Sequence, residues 1–234
     1  MTSFILAASL VALFPAAAAE GASVEESLAA RFPNIEVEDI RPSPVDGLWE
    51  IAVGAQVFYI SADGRYLLRG DLVDLMADRN ITELRRAEQA KGVVAGLDEN
   101  EMIVFSPENP THTVTVFTDI DCTYCRKLHR EIETFTSRGI KVRYMFSPLA
   151  GPGSPSWAKA EAVWCSPDRN DAMTRAKMGE EVKAQGACND TPVAAHYRIA
   201  SELGVRGTPG ILTDEGRLIP GYVPAERLLG LLEQ

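Results

Sequence analysis

Val114-Thr-Val-Phe-Thr-Asp-Ile-Asp-Cys-Thr-Tyr-Cys-Arg-Lys-Leu128 is the stretch on which the reading of this 234-residue chain turns. Its opening residues, Val114 to Phe117, mix β-branched and aromatic side chains and predict a buried strand. A short polar turn follows. Cys122-Thr-Tyr-Cys125 then opens a helix that carries Leu128 and Ile132 on one side. A Cys-x-x-Cys pair at the start of a helix that follows a strand is a dithiol redox motif. The free N–H groups and positive dipole end of a helix N-terminus stabilise the thiolate of the first cysteine. The two-residue spacing lets Cys125 reach back to close a disulfide with Cys122. Half a zinc site would need a second ligand pair at matching spacing, and the sequence offers none. Haem attachment would need histidine after Cys125, where Arg126 stands. An inert structural disulfide stays open at this point.

The length suits one large or two small domains. A composition of 46% hydrophobic and 24% charged residues is that of an ordinary soluble globular protein. The net charge is −10, with 8 basic against 14 acidic side chains in residues 20–97 and 15 against 19 in 98–234. Neither half has a basic surplus, which argues against nucleic acid or an anionic membrane as partner. Residues 1–19 hold no charged side chain. Phe4 to Phe14 makes an apolar run of secretory length, and Ala17-Ala18-Ala19 before Glu20 fits a cleavage site, although the n-region lacks Lys and Arg. The expectation is a cleaved signal peptide and export, with a mature chain from about Glu20. Four cysteines, an even number, agree with an oxidising compartment.

Along the mature chain, Ser23-Val-Glu-Glu26 is a capping-box pattern whose helix should run to Arg31. Strands are expected at Ile35–Ile40, Leu48–Val53 and Gln56–Ser61. Asp63-Gly64 is a hairpin-type turn into Tyr66-Leu67-Leu68. This small α+β unit is poor in large apolar residues and would gain from a partner across an exposed strand edge. Asn80-Ile-Thr-Glu83 starts a second helix, whose charged faces suggest a solvent-exposed connector with a hinge at Gly92 and Gly96. Beyond Asp98 the pattern predicts strands at Met102–Phe105, Val114–Thr118 and Ile140–Phe146, then a Gly/Pro-rich loop from Pro148 to Pro155. Helices are expected at Trp157–Cys165, Asp168–Gly179 and Pro192–Leu203, followed by a hairpin around Asp214-Glu215-Gly216 and a last helix from Pro224 to Leu232.

Taken together, Phe117-Thr-Asp-Ile-Asp-Cys-Thr-Tyr-Cys125, Val205-Arg-Gly-Thr-Pro209 and Pro220-Gly-Tyr222 resemble the periplasmic thiol:disulfide interchange proteins of the DsbC family. The resemblance covers the mature chain and is strongest from about Met102 onward. It implies an α+β N-terminal dimerisation domain at 20–77, a linker helix at 78–97 and an α/β thioredoxin-fold catalytic domain with a helical insertion at 98–234. It also implies a V-shaped homodimer. Cys122 matches the family's nucleophile and Cys125 its resolving cysteine. Thr123 and Tyr124 between them, with Thr208 and Pro209 of a facing cis-proline loop, match the substrate-binding positions. Cys165 and Cys188 match the structural disulfide. This chain departs from the pattern at Thr123, where glycine is expected, and at Asp121, where a neutral residue is expected. A carboxylate at 121 would raise the Cys122 pKa unless Asp121 serves as a helix N-cap.

The remaining residues carry no independent signal. Thr208-Pro209 alone reads as an ordinary turn. His129 lies on the Cys122/Cys125 side of its helix and is read as packing rather than tuning. His112 and His196 belong to no motif, and Trp164 and Tyr197 read as core. The function expected is disulfide isomerisation on misoxidised or unfolded exported proteins in the periplasm, with no organic cofactor or metal. The resemblance implies a membrane thiol reductase relay as electron donor. A net oxidase or a DsbG-like thiol reductase on the same fold, and a chaperone-like holdase with secondary redox activity, are the alternatives.

Overall fold

The computed structural model describes residues 23–34, 40–184, 188 and 190–233. The expected signal segment, and Ile35 to Asp39 of the first expected strand, lie outside the described residues. Ser23 accepts from the Glu26 N–H while Glu26 accepts from the Ser23 N–H, and this reciprocal cap opens α1 (Val24–Arg31). A four-stranded antiparallel meander follows: β1 (Ile40–Pro42), β2 (Leu48–Val53), β3 (Gln56–Ser61) and β4 (Leu67–Leu68). Leu28 of α1 packs on Ile40, Ile51 and Ile60, a small core in keeping with the few apolar residues of this stretch. A short hairpin, β5 (Val73–Asp74) and β6 (Arg79–Asn80), then leads into α2 (Ile81–Ala95), whose Glu83 N–H is capped by Asn80.

Helix α2 is less exposed than its charged sequence suggests. Thr82 is buried and shares a 2.5 Å hydrogen bond with Tyr59 Oη while accepting from the Leu72 N–H. Arg85 and Arg41 converge on the buried Glu50 carboxylate at 3.0 and 2.7 Å. Ala90 joins Ala55, Met102, Phe117 and Leu203 in a shared apolar cluster. The helix runs unbroken through Gly92 and is C-capped by Gly96.

The second sheet holds β7 (Ile103–Phe105), β8 (His112–Thr118), β9 (Ile140–Phe146), β10 (Gly210–Thr213) and β11 (Leu218–Pro220), in the order β11-β10-β8-β9-β7. The central β8–β9 pair is parallel and the other pairings are antiparallel. A parallel pair needs a crossover, and α3 (Thr123–Arg130) with α4 (Ile132–Ser137) provides it. The single helix expected here is broken at Glu131, whose carboxylate receives the Tyr222 hydroxyl at 2.6 and 2.8 Å. Central strand β8 is covered on both faces. Val114 and Val116 enter the main core, while Phe117 faces the cluster shared with α2. Between β9 and β10 come α5 (Pro155–Trp164), α6 (Arg169–Met178) and α7 (Val193–Glu202), and α8 (Ala225–Leu232) follows the last strand.

The two sheets meet through backbone contacts. At the β2–β3 turn, the Ala55 N–H donates to the Glu202 carbonyl at 3.2 Å and the Gln56 side-chain amide to the Ser201 carbonyl at 3.3 Å, so this turn helps satisfy the carbonyls at the end of α7. Gly54 (φ 58°) is required here, because a Cβ would sit 3.2 Å from the Glu202 carbonyl oxygen. Gly216 (φ 83°), in the β10–β11 turn, is pressed against the Ala87 carbonyl of α2, leaving no room for a side chain.

Two histidines without a motif prove to be core residues. His129 bonds Tyr144 Oη and Thr174 Oγ1 at 3.1 Å each, and His196 Nδ1 accepts from the Phe146 N–H at 3.1 Å. Burial pushes both down to about 4, with the Lys177 charge adding to the effect at His129. An unfolded histidine protonates near about 6.5, so between those values the unfolded state binds more protons. Folded stability should therefore fall as pH drops from about 6.5 toward 4, by on the order of 3 kcal/mol per histidine at the acid end. Denaturant unfolding across this range checks it: His129→Gln or His196→Asn should show a shallower loss than the unaltered chain.

Candidate active site

The site lies where β8 ends. Strand, loop and helix follow without a break: Thr118 closes the strand, Ile120 anchors the loop in the core, and Cys122 is the N-cap of α3. The loop is held by Asp119, whose buried carboxylate accepts from the Asp121 N–H at 2.7 Å, the Leu149 N–H at 2.7 Å and the Ser156 hydroxyl at 3.2 Å. Arg126 Nε donates to the Ile120 carbonyl at 3.0 Å, and the Cys122 N–H to the Asp119 carbonyl at 3.3 Å. The position that caps the helix is thus occupied by a sulfur that faces free N–H groups.

Cys122 is partly exposed and Cys125 is buried; both are free thiols. Cys122 Sγ donates to the Thr208 carbonyl at 3.1 Å, and the Thr208-Pro209 peptide is cis. The Pro209 carbonyl accepts from the Gly221 N–H at 2.8 Å, which fixes this loop against the segment after β11. The Thr208 hydroxyl is buried with no hydrogen-bond partner among the described residues, so it can donate to a thiolate as one forms. Burial opposes ionisation of Cys122. Hydrogen bonding from Thr208, from the Cys125 backbone and thiol, and from the Tyr124 backbone outweighs it, so the thiol is held below its ordinary value. Burial dominates at Cys125 and raises it, against the Lys177 charge and the Thr118 and Thr208 hydroxyls.

Thr123 and Tyr124 are exposed on the first turn of α3, with Tyr124 61% accessible. Leu149 is also exposed, one residue past the loop's Pro148. Asp121 does not cap the helix, because Cys122 takes that position. Its carboxylate is bound instead by Arg126 at 2.9 Å and Lys159 at 2.7 Å. Two cations at that distance offset the repulsion a lone carboxylate would exert on the neighbouring thiolate. The pairing depends on a lysine 38 residues away and has no local sequence signature. Cys165 and Cys188 stand apart from this site, on the helical insertion, joined by a 2.03 Å S–S bond.

Beside Cys125 lies a polar cluster that, His129 apart, no sequence motif marks. It comprises Thr118, Asp119, His129, Tyr144 and Lys177, all buried. Lys177 Nζ donates to Thr118 Oγ1 and to the Asp119 carbonyl at 2.7 Å each. One signal was available: Lys177 is spaced with Ala172, Met173 and Ala176 on the buried stripe of α6. Burial pulls this lysine down to about 8, opposed first by the Cys125 charge and then by that of Asp119.

A partly exposed thiol on a helix N-cap, a buried thiol one turn inside and a facing cis-proline loop define a thioredoxin-fold dithiol oxidoreductase. Residues 15–83 match the family described as disulfide bond isomerase protein N-terminal domain, and residues 99–234 match the thioredoxin-like domain. The thiol:disulfide interchange protein DsbC of Escherichia coli K12 is 34% identical over 233 residues, 99% of this chain and 95% of its own length. That of Haemophilus influenzae is 33% identical over 230 residues, covering 95% and 96%. A crystal structure of a disulfide interchange protein from Neisseria gonorrhoeae superposes with a TM-score of 0.52 at 30% identity, over 58% of this chain and 96% of that one. The chain belongs to the DsbC family of thiol:disulfide interchange proteins and is a disulfide isomerase by fold and relationship.

Two measurements follow from this geometry. Thiolate absorbance in single-cysteine variants should place Cys122 below and Cys125 above an ordinary thiol; a Cys122 midpoint at or above about 8.5 would contradict the site as described. Replacing Cys165 and Cys188 together by alanine should destabilise the chain by about 3 kcal/mol, the chain-entropy value for a loop of this length. Comparison of denaturant midpoints reads that change.

Proposed function

We propose that Cys122 is the attacking thiolate and Cys125 the resolving thiol. The observation that carries this is the position of Cys122 Sγ, on the N-cap of α3 and 3.1 Å from the Thr208 carbonyl. The Cys122 thiolate attacks one sulfur of a wrong disulfide; a mixed disulfide forms and a substrate thiolate leaves. When a substrate thiol attacks that mixed disulfide, the outcome is isomerisation with no net redox change. When Cys125 attacks it, the Cys122–Cys125 disulfide forms and the substrate leaves reduced. Thr208 and Pro209 present backbone groups to the substrate segment, and exposed Thr123 and Tyr124 border it. Substrates are misoxidised or unfolded exported proteins, the compartment is the periplasm, reached with a signal segment at 1–19, and the electron donor is a membrane thiol reductase relay. The Cys165–Cys188 bridge is structural.

Residues 20–77 are the dimerisation unit in this proposal, 78–97 the linker and 98–234 the catalytic unit. The support lies at the sheet edge. β4 ends the meander, and Tyr66, Leu67 and Leu68 are 65%, 63% and 52% exposed on or beside it, with Leu75 and Met76 more exposed still. An open apolar edge is a template for pairing with another strand, and a second copy of the chain satisfies it symmetrically.

Reactivation of a scrambled-disulfide substrate tests the reading. Cys122→Ser should abolish isomerisation, whereas Cys125→Ser should retain part of it and accumulate the mixed disulfide. Full activity in Cys122→Ser would favour a holdase in which the thiols are secondary. Sedimentation should give a dimer, and Leu67→Lys with Leu68→Lys a monomer that keeps dithiol reactivity but only a minor fraction of isomerase activity. A monomeric unaltered chain would refute the dimer.

A further inference from the structure

Lys177 poses a physical problem. It is 2% exposed on α6, which packs against α3, and a buried ammonium loses several kcal/mol of hydration. The nearby Asp119 carboxylate does not neutralise it by contact, being engaged by the Asp121 and Leu149 N–H groups and the Ser156 hydroxyl. The ammonium instead bonds the Asp119 carbonyl and the Thr118 hydroxyl oxygen. An ammonium can only donate, so Thr118 Oγ1 accepts in that bond and its single proton is left for another acceptor. The buried Cys125 thiol is the group this hydroxyl acts on: with the Lys177 charge it works against the effect of burial there.

We infer that Lys177 is a positioning residue for the resolving step: through Thr118 it keeps a hydroxyl proton aimed at the Cys125 sulfur, which stabilises the thiolate that must attack. This rests on the assignment of Cys122 as attacker and Cys125 as resolver. Once Cys122 is tied to substrate, Cys125 gives its proton to solvent and its thiolate attacks Cys122 Sγ. The Cys122–substrate S–S bond breaks as the Cys122–Cys125 bond forms, and the substrate thiolate leaves and takes up a proton. The dithiol has lost two electrons and the substrate disulfide has gained them. The other charged and titratable groups around Lys177 are Cys122, Arg126 and His129 at or on α3, Asp119 in the loop and Tyr144 on β9. His129 is neutral at working pH and Asp119 is held by its own donors. The Lys177 charge, present at neutral pH, is therefore the one poised to act on Cys125 through a hydroxyl. Its effect falls on partition, because faster resolution by Cys125 releases reduced substrate at the expense of isomerisation.

Stopped-flow reaction of the reduced, full chain with an aryl disulfide whose released thiolate is coloured separates the two attacks. The first release reports Cys122 and the second reports resolution by Cys125. Lys177→Met and Thr118→Val should each slow the second release by about 3- to 10-fold at neutral pH and change the first by much less. That is the loss expected from one unit of thiolate pKa, partly offset by higher nucleophilicity. The pH midpoint of the second release should move up, Thr118→Ser should restore it, and the double variant should be no slower than either single one. An unchanged second release in a folded Lys177→Met chain, or effects that add in the double variant, overturn the inference. If Lys177→Met does not fold, Thr118→Val, which retains the lysine and the shape of the threonine, decides in the same way. A fast first release that survives in Cys122→Ser would instead refute the attacker assignment beneath it.

Discussion

Everything in the catalytic half depends on a simple requirement: a thiolate at neutral pH needs hydrogen-bond donors that nothing else uses. Helix N-termini are where a protein has such donors, because their first N–H groups have no partner within the helix. The chain puts Cys122 at that point by ending a buried strand, β8, directly before α3. The buried Asp119 carboxylate takes the loop N–H of Asp121 and ties in the opposite loop through Leu149 and Ser156, so the sulfur does not share its donors with a capping side chain. The cis-proline loop then approaches from β10, the neighbour of β8 in the sheet: its Thr208 carbonyl accepts from the Cys122 thiol, and the Thr208 hydroxyl is the donor on that loop that favours the thiolate.

The site therefore separates two chemically identical groups by environment. Cys122 keeps solvent access and donors; Cys125, one turn deeper, is enclosed and resists ionisation. Burial alone would leave the second thiol inert. The polar cluster beneath it, with Thr118 and Lys177 nearest to its chemistry, counters that without exposing it to water. Around the site Asp121 illustrates the same logic in reverse: a charge unfavourable for the thiolate is offset by Arg126 and Lys159.

The N-terminal unit is built on a different principle. Its core is small, and it relies on contacts that its own sheet does not supply. Glu50 is answered by arginines from β1 and α2, the β2–β3 turn caps the end of α7, and Ala55 and Ala90 share a cluster with Phe117. Its remaining apolar surface is concentrated at the β4 edge and the segment after it. A domain so made is stable through what it touches, which suits a unit that connects and assembles.

Much of this was legible in local sequence, because local rules wrote it. The caps at Ser23 and Asn80, the strands at Leu48–Val53, Gln56–Ser61 and Ile140–Phe146, and the Cys-Thr-Tyr-Cys helix start each depend on neighbours a few residues apart. What the sequence could not express were pairings across the fold. The contacts of α2 depend on Tyr59, Glu50 and the shared cluster, so a charged helix that reads as an exposed connector is packed along one side, at Thr82 and Ala90. The charge at Asp121 acquires its meaning from Lys159, and Cys125 its environment from Lys177. Sequence determined which backbone segments form and where a reactive thiol could stand, since propensity, capping and spacing act over one or two helical turns. Tertiary structure decided the electrostatics of that thiol pair, because burial and charge act through space between residues that the chain brings together only when folded.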